Sequence, residues 1–137
     1  MKSIVRHSVP FHDCDVMNIV WHGNYVKYLE LGRTALAVKM ALDWPDVKSL
    51  GISMPVVFCQ IDYRKSLSYG DEFLIEASWE DFNSPSVVIN YRLVSVDSKN
   101  VYARGVTKQV YVDVTSNQLY FEVPPKIGAI LKNLDLN

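Results

Sequence analysis

Phe11-His12-Asp13-Cys14-Asp15-Val16-Met17-Asn18-Ile19-Val20-Trp21-His22-Gly23-Asn24-Tyr25 sets two carboxylates and two imidazoles on one short stretch, where the hydrophobic period of the chain changes. Upstream, Ile4 to Phe11 alternates through Val5, Val9 and Phe11, which reads as an early strand. Residues 12–23 break that alternation and read as a loop. Downstream, Tyr25, Tyr28, Leu29, Leu36 and Met40 recur at spacings of three and four, the apolar stripe of an amphipathic helix. Asn24 is its expected N-cap, because an Asn side chain accepts from the free amides of a first turn. The stretch is therefore a polar loop feeding a helix N-terminus.

Gly32 and Ala35 lie on or beside the stripe, small enough for another element to approach closely. The helix is expected to end near Leu42, since Asp43-Trp44-Pro45 follows and proline disfavours helix at the residue before it. From Ser53 to Val114 the chain reads as long strands rich in β-branched and aromatic residues: Val56-Val57-Phe58, Phe73-Leu74-Ile75, Val87 to Tyr91, and Val106 to Val114. Turn signals at Ser68 to Asp71, Asn83 to Pro85 and Asp97 to Asn100 separate them. Ile127 to Leu134, after Pro124-Pro125, reads as a short C-terminal helix. One strand, one long helix and four successive strands give an α+β architecture, an antiparallel sheet covered on one face by the helix. The second face is expected to need a partner, so a dimer at least is anticipated.

The chain has 137 residues, one domain's worth, with 49% hydrophobic and 21% charged residues, which excludes a disordered protein. A single domain spanning 1–137 is expected. A formal net charge of −1 argues against nucleic acid as a partner, which demands a large basic excess. No apolar run is long enough to span a membrane, and Met1 to His7 lacks the apolar core of a signal peptide. Cys14 and Cys59 form no Cys-x-x-Cys pair and read as reduced thiols, so a cytoplasmic protein is expected.

Free amides and the positive end of a helix make a good site for a developing oxyanion. A carboxylate a few residues upstream has the chemistry to attack a polarised carbonyl carbon, or to activate a water that does. The stretch also resembles the signature of the 4-hydroxybenzoyl-CoA thioesterase family, including the Tol-Pal-associated acyl-CoA thioesterases. The matching positions are Phe11, Asp13, Asp15, Ile19, Val20, Trp21, His22, Asn24 and Tyr25, followed by Glu30, Gly32 and Arg33. Tyr63-Arg64-Lys65 and Tyr69-Gly70-Asp71 are similar to that family's central strand and the turn after it. Asn18 stands where the family usually has glycine, and Asn tolerates left-handed backbone better than most residues.

The resemblance implies a hot-dog fold, the sheet wrapped around one long helix, and hydrolysis of an acyl-CoA. Asp15 matches the catalytic carboxylate, as nucleophile or as general base. The backbone amides of His22 and Gly23 match the oxyanion position, and the His22 side chain matches a histidine that orients the loop or assists proton transfer. Trp21, Asn24, Tyr25, Tyr63, Arg64 and Lys65 are the implied substrate-binding residues. The resemblance also implies a homodimer or homotetramer with the site between subunits, Gln60 to Arg64 of one strand facing the other subunit's Asp15. No cofactor is implied, coenzyme A being part of the substrate.

Other readings of the same residues stand beside these. Asp13 is expected to be structural, bonding amides of the loop. His7 and His12 are read as surface or packing residues. No metal is expected, because adjacent residues of an extended chain point to opposite sides and no ligand spacing supports a site at His12, Asp13, Asp15 and His22. Cys14 lies between two carboxylates that disfavour its thiolate. Arg64, Lys65, Arg104, Lys108 and Lys126 are candidates for the coenzyme's phosphates. An acyl-carrier-protein thioesterase and a non-catalytic acyl-binding module remain the alternative functions, while the His-plus-acid arrangement of hot-dog dehydratases is not found.

Overall fold

The computed structural model describes residues 1–134. In chain order its elements are β1 (Lys2–Ser8), 3-10 turns at Phe11–Asp13 and His22–Asn24, α1 (Tyr25–Lys39), α2 (Trp44–Ser49), β2 (Ile52–Ser53), β3 (Val56–Tyr63), β4 (Glu72–Ser78), β5 (Ser86–Ser95), β6 (Val101–Val110), β7 (Val112–Asp113) and α3 (Pro125–Asn133). Five strands form an antiparallel sheet in the order β1-β4-β5-β6-β3, and β2 pairs with β7 separately. The sheet wraps α1, which is the α+β, hot-dog arrangement anticipated.

The stripe on α1 meets alternate residues of the central strands. Tyr28, Leu29, Leu36 and Met40 are each 1% exposed, against Phe73, Ile75 and Leu93 at 0%. Each such side chain contributes about 2–3 kcal/mol by leaving water. Gly32 sits where the approach is tightest: a β-carbon there would stand 2.8 Å from Ile75 Cγ2. On β6, Gly105 makes the matching concession to Leu29, whose Cδ1 would lie 2.9 Å from a β-carbon.

Several boundaries differ from the sequence expectation. The first strand stops at Ser8, because Pro10 leads into a 3-10 turn that leaves Phe11 74% exposed. The strands run to 7–10 residues in β4, β5 and β6. Asn24 is no side-chain N-cap: its own backbone is already helical (φ −74°, ψ −16°) in the preceding 3-10 turn. Helix α1 ends at Lys39, and Ala41 at φ 55° turns the chain out of it. Asp43-Trp44-Pro45, expected only to stop a helix, also starts one. Asp43 accepts from the Trp44 amide at 2.8 Å, its own amide donates to Asp46 Oδ2 at 3.1 Å, and proline occupies the first turn of α2, where it sacrifices no bond. The C-terminal helix covers Pro125–Asn133, close to its expected place. Of the single domain expected over 1–137, the last three residues lie outside the described ones.

The strand β3 is one of the two edges of the sheet, β1 being the other, and it is open to solvent on both faces. Val57 is 57% exposed, Phe58 48% and Tyr63 47%. No helix among the described residues is long and apolar enough to cross a membrane.

Candidate active site

Between the two 3-10 turns the polar stretch folds into a small hairpin. The Asp15 amide donates to Ile19 O at 2.8 Å, the Asn18 amide donates back to Asp15 O at 3.0 Å, and Cys14 bridges Val20. Asn18 takes φ 60°, the left-handed angle this tight reversal needs and that Asn tolerates. The Asp15 carboxylate accepts the Met17 amide at 2.8 Å, a local turn bond that leaves its second oxygen without a protein donor among the described residues. Val16 and Met17 at the tip project into solvent.

The chain then enters α1 through the His22–Asn24 turn. Asn24 donates through its amide to Trp21 O at 2.9 Å, and the Tyr25 amide donates to His22 O. The amides of His22 and Gly23, one step earlier, meet no acceptor among the described residues, as the first donors of a helical segment do not. The Trp21 indole lies over Gly23, 2.3 Å from where a β-carbon would be. A side chain at that position would displace the ring.

Asp13 behaves differently from Asp15. It is 2% exposed and reaches α1, accepting from Lys27 Nζ at 2.5 Å and the Tyr28 hydroxyl at 2.7 Å. Its structural role therefore runs through side chains of α1, not through loop amides as expected. Burial works against its charge, but the Lys27 and Tyr28 hydrogen bonds and the Lys27 ammonium outweigh it and hold the carboxyl below its ordinary range. The carbonyl of Asp13 completes the anchor, accepting from the Trp21 amide at 2.9 Å and from Asn24 Nδ2 at 2.8 Å. So Asn24 ties the loop to the helix start in place of capping it.

Tyr63, from the far end of β3, donates its hydroxyl to His22 O at 2.9 Å and packs edge-on to Tyr25, ring centroids 4.9 Å apart. Burial pushes the hydroxyls of both tyrosines up, so both remain protonated donors near neutrality. The structure thus brings Trp21, His22, Gly23, Asn24, Tyr25 and Tyr63 together at the start of α1, beside the hairpin that carries Asp15. Arg64 and Lys65 turn elsewhere. Arg64 pairs with Asp62 at 2.7 Å, and Lys65 donates to Asn100 Oδ1 at 2.7 Å. His12 is exposed, and His7 packs against Tyr28 and Phe73. Lys27 and Tyr28, the partners of Asp13, were not singled out for this role. Their signal is positional, since both occupy the first turn of α1 above the loop.

A carboxylate on a tight turn, next to unpaired amides at a helix start, is an arrangement suited to acyl transfer. Comparison with known proteins agrees. A putative acyl-CoA thioesterase of Bacillus subtilis is 35% identical over 85 residues, 62% of this chain and 62% of its own length, so the match spans less than two thirds of that relative. A putative esterase of Aquifex aeolicus is 24% identical over 97% of this chain and 100% of its own. The crystal structure of a 1,4-dihydroxy-2-naphthoyl-CoA thioesterase from Synechocystis superposes with a TM-score of 0.85 at 17% identity, covering 100% of both chains, which shows a shared fold. The sequence pattern of the Thioesterase-like superfamily matches residues 9–131, nearly the whole described chain, and the protein belongs to that superfamily.

Proposed function

We propose that the protein hydrolyses acyl-CoA thioesters to a carboxylic acid and free coenzyme A. The observation that carries this reading is the pairing of the Asp15 turn with the unpaired amides of His22 and Gly23 at the start of α1. The names of the Bacillus and Synechocystis proteins point to the same substrate class. We read the chain, more finely, as one of the 4-hydroxybenzoyl-CoA thioesterases within the superfamily, a reading supported by the resemblance of the motif from Phe11 to Tyr25.

The chemistry follows from the parts. The thioester carbonyl oxygen sits against the two amides, which strengthen their hydrogen bonds as it gains charge. Asp15 attacks the carbonyl carbon directly, or takes a proton from a water that attacks it; in either case the C–S bond breaks and the coenzyme leaves as a thiolate that is then protonated, and on the direct route water cleaves the resulting Asp15–acyl anhydride to release the acid and restore the carboxylate. His22, exposed at the turn, orients the loop or carries that proton. Trp21, Asn24, Tyr25 and Tyr63 wall the site, while Arg64 and Lys65 lie at the surface as partners for the coenzyme's phosphates.

We read the protein as a cytoplasmic homo-oligomer, built on a dimer joined through β3. An open edge strand carrying Val56, Val57 and Phe58 leaves backbone donors and apolar side chains unpartnered, and a second copy satisfies both. The test is free-thiol release from acyl-CoA esters of graded size, run beside the same acyl groups on acyl carrier protein. Release from the coenzyme A esters is the expected result. Release from carrier-protein esters alone moves the substrate to the carrier, and release from neither leaves an acyl-binding module.

A further inference from the structure

The two free amides at the entry to α1, those of His22 and Gly23, are not alike. The His22 amide belongs to the peptide whose carbonyl is Trp21 O. Among the described residues that oxygen accepts one hydrogen bond, from the Asn24 amide at 2.9 Å. The Gly23 amide belongs to the peptide whose carbonyl is His22 O. That oxygen accepts two, from the Tyr25 amide and from the Tyr63 hydroxyl at 2.9 Å. A carbonyl oxygen has two lone pairs, so this one is fully used.

The bond from Tyr63 acts beyond the oxygen it reaches. The peptides of the described residues are all trans, and in a trans peptide the carbonyl and the N–H point in opposite directions. With Tyr25 and Tyr63 holding the oxygen from one side, the Gly23 N–H is aimed away from both. A donor on the carbonyl also draws electron density from the nitrogen. The N–H becomes a better donor in turn, by roughly 10–30% for each bond added to such a chain. The Tyr63 hydroxyl therefore sets both the direction and the strength of the Gly23 amide.

Tyr63 is held firmly enough to do this. Its backbone pairs with Ala103 of β6, and the next two amides, of Arg64 and Lys65, donate to Tyr102 O at 2.8 and 3.0 Å. Its ring stands edge-on to Tyr25, which is itself 4% exposed. Burial pushes its hydroxyl up, so the proton it donates is in place near neutrality.

We propose that Tyr63 is a positioning residue for thioester cleavage: acting through the His22–Gly23 peptide, it makes the Gly23 amide the stronger of the two donors to the thioester oxygen. The proposal rests on the thioesterase reading. The oxygen gains charge only as the carbon is attacked, so a strengthened donor lowers the barrier more than it tightens substrate binding. A residue that only walls the site contributes to substrate and transition state alike, and its loss raises KM.

The test has one arm that needs turnover and one that does not. Tyr63→Phe keeps the ring against Tyr25 and removes only the donor. Its kcat for the best acyl-CoA ester should fall by about five- to tenfold, the value of one neutral hydrogen bond. Its KM should stay within about twofold of the wild type. 3-Fluorotyrosine at position 63, a more acidic hydroxyl and a better donor, should give a kcat at or above that of the wild type near neutral pH. Thermal melts check that both proteins fold, and the fluorotyrosine protein decides the matter if the Phe variant does not. In the second arm the backbone amide signals of His22 and Gly23 are compared by NMR, without substrate, in the wild type and Tyr63→Phe. The Gly23 nitrogen signal should move upfield, and further than that of His22. An unchanged kcat, a rise in KM alone, a fluorotyrosine kcat as low as that of Tyr63→Phe, or an unmoved Gly23 signal in a protein that cuts esters overturns the proposal. If the wild type cuts no ester, the thioesterase reading falls. A Gly23 shift then keeps Tyr63 as the residue that sets this amide, and an unmoved signal overturns that as well.

Discussion

The Tyr28 hydroxyl donates to Asp13 Oδ2 across 2.7 Å, so the carboxylate that precedes Asp15 by two residues is bolted to the first turn of α1. Burial and that same carboxylate hold the Tyr28 hydroxyl well above its ordinary range, which keeps it a donor at any physiological pH. The hairpin presenting Asp15 is thereby fixed to the helix whose start supplies the unpaired amides.

Asp13→Ala should therefore destabilise the fold by about 2–3 kcal/mol, because it strands the buried Tyr28 hydroxyl and frees the loop. Urea unfolding measures it directly. A loss below half a kilocalorie, at most the value of an ordinary surface pair, would show that the contact anchors nothing.

The same residue sets a pH dependence. The folded carboxyl titrates below its ordinary value, so its stabilisation is fully present above the unfolded pKa, about 3.9, and fades as pH falls from there through the lower folded value. Urea midpoints of the wild type should fall between neutral pH and the acid range more steeply than those of Asp13→Asn, where the titrating group is gone. Parallel curves for the two proteins would contradict this.

Asn18 supports the left-handed position of the hairpin at φ 60°. Asn18→Gly is expected to change stability little, whereas Asn18→Val, a β-branched residue, should cost about 1–2 kcal/mol. Thermal melts of the two variants compare them. Equal effects would mean that the turn angle is not what Asn18 provides.

Much of this arrangement was legible in the sequence, for reasons that can be named. The stripe from Tyr25 to Met40 is a local, periodic signal, and it marked α1 and its buried face. Asp15, His22 and Gly23 were singled out because a polar loop before a helix start is itself a chemical environment and because the stretch resembles a known motif; the structure places all three where that loop meets α1. Helix α2 was missed because Pro45 was read only as a stop, although Asp43 and Asp46 already spell a capping box around it. Asn24 was misassigned because a 3-10 turn precedes α1, and no periodicity reports so short a turn. A cavity between the second half of α1, α2 and the sheet left no trace in the sequence, since Arg33, Trp44, Trp79 and Gln109 meet there only through tertiary packing.

Close packing at Gly32 gives a separate test of the helix–sheet contact. Gly32→Val must push α1 away from Ile75, which stands 2.8 Å from the first added carbon, and should cost about 2 kcal/mol. Denaturant midpoints decide it, and an unaffected midpoint would mean that α1 has room to shift.

The central claim concerns Asp15, and the most direct measurement is the rate of free-thiol release from the best acyl-CoA ester by wild type and by Asp15→Asn. This substitution keeps the side chain's shape and its acceptor for the Met17 amide, and it removes the charge that attacks or deprotonates. A fall of about a hundredfold or more, in a variant that melts with the wild type, is the predicted result. Turnover that survives the substitution would contradict the account, and the base would have to be sought at His22.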